Sequence, residues 1–330
     1  MEKKLKVAEF FGGIGACTKA LKELGIDYEV VDYIEIDKYA VNSYNAINGT
    51  NFKPQDICEW DKDIEVDLLM HGSPCQDFSV AGLQKSGDKG SGTRSSLMWE
   101  TIRIVEKLKP KYVIWENVKN VLSKKHRHNF DAYLETMEQV GYINYYQVLN
   151  AKDYGIPQNR ERVFVISILN DQHKDFKFPE PFELDTAVRD YLENDVEQTY
   201  YLTERQQTYI LDGNDVALKS GRDINNRIIN PNIAKTISCR GAVDQRADVT
   251  NFVVEGYDEI TVREFKNLVN KPKIRKFTSL ECWRLMDFDD IDWRNASKVS
   301  SKSQLYKQAG NSIAVNVLKE IFYKLLVEVR

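Results

Sequence analysis

The sequence predicts an α/β protein: a doubly wound, mostly parallel sheet, followed by a second, smaller and irregular β-rich domain. Three observations support this prediction. Strand-like apolar runs alternate with helical patterns up to about residue 170. A glycine-rich turn joins the first run to the first helix. Beyond residues 176–182 (FKFPEPF) the alternation ends and Asn, Gly and Pro cluster in short segments. Alternating strands and helices imply right-handed crossovers in a parallel sheet.

The elements follow in order from hydrophobic spacing. Apolar runs predict strands at residues 7–11, 28–34, 67–71, 112–115, 142–149 and 162–169. Helical spacing predicts helices at residues 15–24, 38–47, 95–108 and 130–140, the first ending at Gly25. An amphipathic helix at residues 312–329 ends the chain and is expected to dock on the first domain. We therefore predict a first domain at 1–185, a second, smaller domain at 186–290, and a hinge with a returning helix at 291–330.

Composition excludes several classes of protein. The 330 residues suffice for about two domains, and 42% hydrophobic with 29% charged residues is ordinary for a globular protein. Apolar runs stay well below the ~20 residues of a membrane span. Five scattered cysteines without a CxxC pair predict neither a disulfide framework nor a metal site. The expectation is a cytoplasmic monomer without membrane or metal partners.

Charge is distributed unevenly. The net charge is −4, yet residues 219–276 carry 12 Lys and Arg against 7 Asp and Glu, a local net of +5. A basic segment of this kind is typical of a nucleic-acid contact, although a solvated basic face explains it equally well.

The glycine-rich turn is FFGGIG at residues 10–15. Glycines at this point let a ligand approach the backbone, and the following helix N-terminus favours polar groups. Glu35 lies 20 residues after Gly15, where a carboxylate can accept both hydroxyls of a ribose. Thr18 occupies the third glycine position of the dinucleotide fingerprint, which disfavours a nicotinamide cofactor. The pattern indicates a nucleoside-type cofactor, with a plain tight turn as the alternative.

Two strands end in chemically useful side chains. Cys75 follows the strand at 67–71, and Glu116 ends the strand at 112–115. Carboxyl ends of parallel strands meet at one crevice, so both residues are expected to reach it. Cys75 is then a candidate nucleophile, against the alternative of a buried small hydrophobe, and Glu116 a candidate acid or a mere cap.

A third polar segment leads into the last strand. Gln158, Arg160 and Arg162 alternate along it, so an extended chain would turn all three to one side. They suit an anionic or heteroaromatic substrate, with a solvated charged turn as the alternative.

Taken together, these motifs resemble the C5-cytosine DNA methyltransferases of bacterial or phage type over nearly the whole chain. The resemblance rests on order and spacing: FGGIG at 11–15, EID at 35–37, DI at 56–57, PCQ at 74–76, ENV at 116–118, QNRER at 158–162 and QLYKQAGNS at 304–312. It implies a DNA (cytosine-5-)-methyltransferase with a Rossmann-like core that uses S-adenosylmethionine. Residues 1–185 would then form the catalytic and cofactor-binding domain, and residues 186–290 the target-recognition domain.

The resemblance also implies a mechanism. Cys75 is expected to add to carbon-6 of a cytosine flipped from the duplex, which activates carbon-5. Glu116, partly protonated in a closed site, would supply a proton at N3. Arg162 would hold Glu116 and the base, with Arg160 and Gln158 ordering the surrounding groups. The implied cofactor residues are Phe11, Gly13, Gly15, Glu35, Ile36, Asp56, Ile57 and Asn311. Residues 79–94 would form a mobile lid.

Double-stranded DNA is the implied partner. The expected DNA contacts are Gln76, Ser79, Arg94, Lys124, Arg127, Gln158, Arg222, Thr236 and Arg240. The resemblance also allows a cognate restriction endonuclease as a companion protein. Three alternatives compete: a tRNA cytosine-C5 methyltransferase, whose Cys-Phe-Thr element is not found here, a nucleotide-dependent oxidoreductase, and a non-catalytic DNA-binding module.

The chain departs from the family pattern at three places. Ser73 replaces a commoner proline before Pro74, and Ala16 replaces a glycine after Gly15. Residues 284–289 read RLMDFD where the family has Arg-Leu-x-Gly-Phe-Pro, which affects the hinge near the recognition domain rather than the chemistry.

Overall fold

A computed structural model describes residues 3–74, 94–172, 175–212, 224–239 and 251–328. The strands are β1 (Leu5–Phe10), β2 (Tyr28–Ile34), β3 (Leu68–His71), β4 (Tyr112–Val118), β5 (Tyr142–Asn150), β6 (Gln158–Asn159), β7 (Glu161–Leu169), β8 (Ile228–Asn230), β9 (Ala234–Lys235), β10 (Phe252–Val254), β11 (Ile260–Thr261) and β12 (Ile274–Lys276). The α-helices are α1 (Ala16–Glu23), α2 (Lys38–Asn48), α3 (Met98–Leu108), α4 (Arg127–Gln139), α5 (Glu204–Asp212), α6 (Val262–Asn267), α7 (Ser279–Arg284), α8 (Asp290–Ser297), α9 (Lys302–Asn311) and α10 (Val315–Phe322).

A six-stranded sheet has the order β2-β1-β3-β4-β7-β5. β1, β2, β3 and β4 pair in parallel, whereas β7 is antiparallel to both of its neighbours. The strand order reverses at β1, because β2 lies on one side of it and β3 on the other. In open α/β sheets this switch point marks the ligand crevice at the carboxyl ends of the strands. The predicted fold class is confirmed.

Helices cover both faces of this sheet. On one face, Phe10 and Trp115 belong to an apolar cluster with residues of α3 and α4. On the other face, Glu9 contacts Thr18 of α1 and Tyr44 of α2. Neighbouring strand residues point to opposite faces, so β1 contributes to both.

Most predicted boundaries hold within three residues. α1 gives way to Gly25 and α2 ends at Gly49, each glycine having a positive φ that suits a helix C-terminus. The predicted helix at 95–108 starts later, at Met98, because residues Arg94–Leu97 form a 3-10 turn. The C-terminal helix begins at Val315 and continues as a π-helical segment at Tyr323–Glu328.

The chain forms two compact units. The first contains residues 1–150, 161–181 and 312–330, and the second contains residues 151–160 and 182–311. Among its described residues, the second unit has three two-stranded sheets, β10 with β12, β8 with β11 and β6 with β9, and its own apolar core around Phe252 and Phe265. The functional division at residues 185 and 290 stays a prediction.

The atypical segment at 284–289 has a specific backbone explanation. Asp287 takes a left-handed conformation, with φ 65°, at the position where the resembled family has glycine. Its N–H donates to the carbonyl of Arg284, and the N–H of Phe288 donates to Trp283, which closes the end of α7. Asp289 caps α8, with its N–H donating to the Asp292 carboxylate. The two aspartates, Asp287 and Asp289, therefore form the turn between α7 and α8 without glycine or proline.

Candidate active site

The glycine-rich turn after β1 is tightly packed on one side and open on the other. A Cβ on Gly12 would lie 2.7 Å from the Tyr33 ring, and a Cβ on Gly15 equally close to the Tyr44 ring. Phe11, Gly13 and Gly15 all have positive φ, which glycine adopts at low cost. No described atom lies within 4 Å of the position that a Cβ on Gly13 would take. The turn therefore presents backbone to an open space at Gly13.

A buried polar network lies beneath this turn. The Tyr33 hydroxyl donates to the Gly13 carbonyl at 2.6 Å, and the Tyr33 and Tyr44 rings stack with centroids 3.9 Å apart. Thr18 and Tyr44 both donate to the Glu9 carboxylate, the latter at 3.2 Å. Burial raises the pKa of Glu9 to about 7, with these donors opposing the rise. Thr18, at the third glycine position of the fingerprint, thus serves this network.

Glu35 is held beside the open side of the turn. Its carboxylate accepts the N–H of Gly13 at 3.3 Å and the N–H of Asp37 at 2.8 Å. Burial raises the pKa of Glu35, and the two backbone donors work against that rise. The neighbouring Ile36 side chain is 68% exposed. A carboxylate and an apolar surface therefore lie side by side at the end of β2.

The other predicted cofactor residues differ in placement. The Gln55 N–H donates to the Glu35 carbonyl at 2.9 Å, which joins the turn at Ile57–Glu59 to this site. Asp56 is exposed and caps that turn by accepting the Cys58 N–H, while Ile57 is buried. Asn311 is exposed at the end of α9 in the second unit, so its place in a cofactor pocket stays a prediction.

Glu116 and Arg162 meet at the carboxyl edge of β3 and β4. The Arg162 Nε lies 3.0 Å from Glu116 Oε1, with side chains only 16% and 11% exposed. His71 and Trp115 are paired in the sheet, so Gly72 and Glu116 come next along the two strands. A Cβ on Gly72 would lie 3.6 Å from Glu116 Oε2. The structure thus brings the predicted acid and its arginine partner together against the segment that leads to residue 75.

Gln158 and Arg160 take structural positions within the second unit. The Gln158 side chain is fully buried; it donates to the Leu285 carbonyl at 2.6 Å and accepts the Ile237 N–H at 2.9 Å. The Arg160 guanidinium donates to the carbonyls of Ile237 at 3.0 Å and Gly310 at 3.1 Å. Both side chains therefore fix the backbone near residue 237. As placed, the Gln158 side chain has no exposed surface, and its assignment as a DNA contact stays a prediction.

The remaining predicted DNA contacts fall into two groups. Lys124, Arg127 and Thr236 are exposed. Arg127 pairs with Asp131 at 2.7 Å, and the Thr236 hydroxyl donates to the Asn159 carbonyl. Arg94 begins a 3-10 turn. Cys75, Gln76, Ser79, Arg222, Arg240 and most of the lid at 79–94 lie outside the described residues.

Sequence reasoning did not identify Glu9, Tyr33 and Tyr44 as supports of the turn. A glutamate within the apolar run of β1 was the available signal, because a buried carboxylate requires polar partners. Within the described ranges, no group of three His, Cys, Asp or Glu is arranged to hold a metal ion. In the same residues, no helix combines the length and apolar character needed to cross a membrane.

Comparisons with known proteins show the family of this chain. A family model described as C-5 cytosine-specific DNA methylase matches residues 5–326. The type II methyltransferase M2.ScrFI of Lactococcus lactis subsp. cremoris is 36% identical over 306 residues, covering 88% of this chain and 73% of that protein. The type II methyltransferase M.HhaI of Haemophilus parahaemolyticus is 33% identical, covering 97% and 94%. The solved structure of the Entamoeba histolytica methyltransferase EhMeth superposes with a TM-score of 0.77 at 18% identity, covering 100% of both chains.

Proposed function

This chain belongs to the C-5 cytosine-specific DNA methylase family, and on that premise we propose that Cys75, Glu116 and Arg162 carry out methyl transfer to carbon-5 of cytosine in double-stranded DNA. The observation that carries the proposal is the Glu116–Arg162 pair. The pair lies against Gly72, three residues before Cys75, at the carboxyl ends of β3 and β4. The strand order reverses at β1, the neighbour of β3. The family predicted from sequence motifs is confirmed by the family model and by the type II relatives.

The site after β1 and β2 suits S-adenosylmethionine. Glu35 offers carboxylate oxygens to the two ribose hydroxyls, and its hold on Gly13 keeps the turn open. The exposed side chain of Ile36 gives the adenine ring an apolar surface, with Phe11 as the expected partner on the opposite face. The Ile36 side chain is not buried within the protein, so it can contact the adenine directly. When bound, S-adenosylmethionine supplies an electrophilic methyl group.

The residues of this chain do the rest of the chemistry. The Cys75 thiolate forms a bond to carbon-6 of the cytosine, and the displaced electron pair makes carbon-5 nucleophilic. Glu116 in its protonated form donates its proton to N3, which relieves the charge that builds up on the ring. Arg162 holds the Glu116 carboxyl group in place through its Nε. After methylation, water takes the proton from carbon-5, the electron pair of that bond restores the carbon-5–carbon-6 double bond, and the carbon–sulfur bond breaks. Cys75 leaves as thiolate, and N3 returns its proton to Glu116.

A stacked duplex hides carbon-6, so the cytosine must leave the helix before Cys75 can reach it. Exposed Lys124 and Arg127 are proposed to contact phosphates, and the basic 219–276 segment to read the target sequence. Arg160 is proposed to act indirectly, since its guanidinium is used by the backbone of Ile237 and Gly310.

Trapping with 5-fluorocytosine tests the proposal. Fluorine at carbon-5 blocks the final elimination, so a duplex carrying it should form a covalent adduct with the wild type in the presence of S-adenosylmethionine. Cys75→Ser should form none. Cys58→Ser is the matched control, because Cys58 is an exposed free cysteine of the same unit and its loss should leave the adduct intact. Equal adduct yield from Cys75→Ser would refute the assignment.

A further inference from the structure

Ser73 is the point at which the segment before Cys75 is tied to β4. Its hydroxyl accepts the indole N–H of Trp115 at 3.0 Å. The amide of Asn117 donates to the Ser73 carbonyl at 3.2 Å and, more weakly, to the hydroxyl at 3.4 Å. All three residues are at least 97% buried. Buried hydrogen bonds of this kind hold one geometry, because a lost partner leaves a polar group without water.

The two donors flank Glu116. Trp115 and Asn117 are on one face of β4, where they contact Ser73. Glu116, between them, points to the other face, toward Gly72 and Arg162. Three consecutive residues of one strand therefore hold the segment that leads to the nucleophile and carry the acid that serves the same base.

The indole of Trp115 is itself immobilised. Its ring is parallel to that of His71, with 5° between the planes and centroids 6.0 Å apart, and it also packs on Tyr133. His71 Nε2 in turn lies 3.0 Å from the Tyr133 hydroxyl. The donor that reaches Ser73 thus has a fixed direction, as a positioning contact requires.

We propose that Ser73, through Trp115 and Asn117, is a positioning residue: it ties residues 72–74, the segment that leads to the proposed nucleophile, to the strand that carries Glu116. This inference rests on the proposed function. It goes beyond it because Ser73 is buried against β4 and is given no part in the proposed chemical steps. The Ser73 hydroxyl is the acceptor that the buried Trp115 indole requires.

Ser73→Ala removes the hydroxyl and leaves the carbonyl that Asn117 contacts, so the fold should persist. Ser167→Ala is the matched control. Ser167 is a fully buried serine of the same sheet, on β7, and its hydroxyl donates to Asn144 at 2.6 Å. Its sheet partner is Val113, three residues from Glu116. Both variants delete one buried hydroxyl, yet only one of them touches the segment before Cys75.

The measurement is the single-turnover rate of adduct formation with duplex containing 5-fluorocytosine. Ser73→Ala should slow this rate roughly ten- to hundredfold, because a small misplacement of a reacting group costs about that much. The dissociation constants for S-adenosylmethionine and for DNA should change by less than about twofold. Ser167→Ala should keep the wild-type rate despite a similar fall in melting temperature. Trp115→Phe combined with Ser73→Ala should slow the reaction by less than the product of the two single effects.

The outcomes separate the two proposals. A wild-type rate in Ser73→Ala, or an equal loss in Ser73→Ala and Ser167→Ala, would overturn the positioning role and leave the proposed function intact. Failure of the wild type itself to form an adduct would overturn both.

Discussion

Glu9 makes the stability of this protein depend on pH in a direction that the structure fixes. It is 2% exposed near the carboxyl end of β1, and burial raises its pKa from 4.5 to about 7. In the unfolded chain Glu9 ionises near 4.5, so between pH 4.5 and 7 unfolding releases a proton. The contribution of protonated Glu9 is fully present below pH 4.5 and is lost as pH rises through 7. A pKa change of this size corresponds to about 3 kcal/mol.

The test is urea denaturation of wild type and Glu9→Gln at several pH values between 4.5 and 8. Glutamine keeps the shape and accepts the same donors without titrating. The free energy of unfolding of the wild type should fall relative to the variant by about 3 kcal/mol over this range.

Glu65→Gln is the control, because the pKa of Glu65 is lowered in the folded protein whereas that of Glu9 is raised. Hydrogen bonds from Lys3 and Lys6 lower the pKa of Glu65 to about 2, so its contribution is present above pH 4.5 and is lost only in more acidic solution. The difference between wild type and this variant should stay flat from pH 5 to 8. A flat difference for Glu9→Gln as well would show that Glu9 is not buried as an acid with a raised pKa.

Three further predictions concern the cofactor, the corner after α7 and DNA. Glu35→Ala should weaken S-adenosylmethionine binding by about 1.5–3 kcal/mol in calorimetric titration, and NAD binding in its place would contradict the assignment. The free energy of unfolding of Asp287→Gly, measured by urea denaturation, should be about 1 kcal/mol higher than that of Asp287→Ala. Both variants lack the carboxylate, and only glycine adopts φ 65° at no cost. Equal stability would argue against the left-handed turn. Lys124→Ala or Arg127→Ala should weaken binding to all duplexes alike and reduce the salt slope of log affinity by about one, whereas Arg222→Ala should cost ~1–3 kcal/mol on the preferred site only. A changed site preference in the first pair would place target reading elsewhere.

The parallel part of the fold was predictable because its inner strands β1, β3 and β4 are mostly buried and mostly apolar in sequence. β7 reads the same way at residues 161–169, so nothing local to the sequence distinguishes its antiparallel direction. The connection after β5 is short and irregular, and only pairing in the sheet decides how the chain returns.

The site residues were predictable where a charged residue follows directly from the end of a predicted strand. Glu35 and Glu116 lie at strand ends, and strand ends meet at the crevice edge. The burial of Gln158 was not predictable, because alternation gives the side of a strand to which a side chain points but not what covers that side. Ser73 was noticed only as a mild departure, since its meaning depends on an indole 42 residues away.

Bisulfite sequencing of DNA from cells that express the wild type or Cys75→Ser tests the central claim most directly. The account predicts cytosines protected from conversion in one recurring sequence context with the wild type, and no such protection with Cys75→Ser. Complete conversion with the wild type, or protection that appears in transfer RNA but not in DNA, would contradict it.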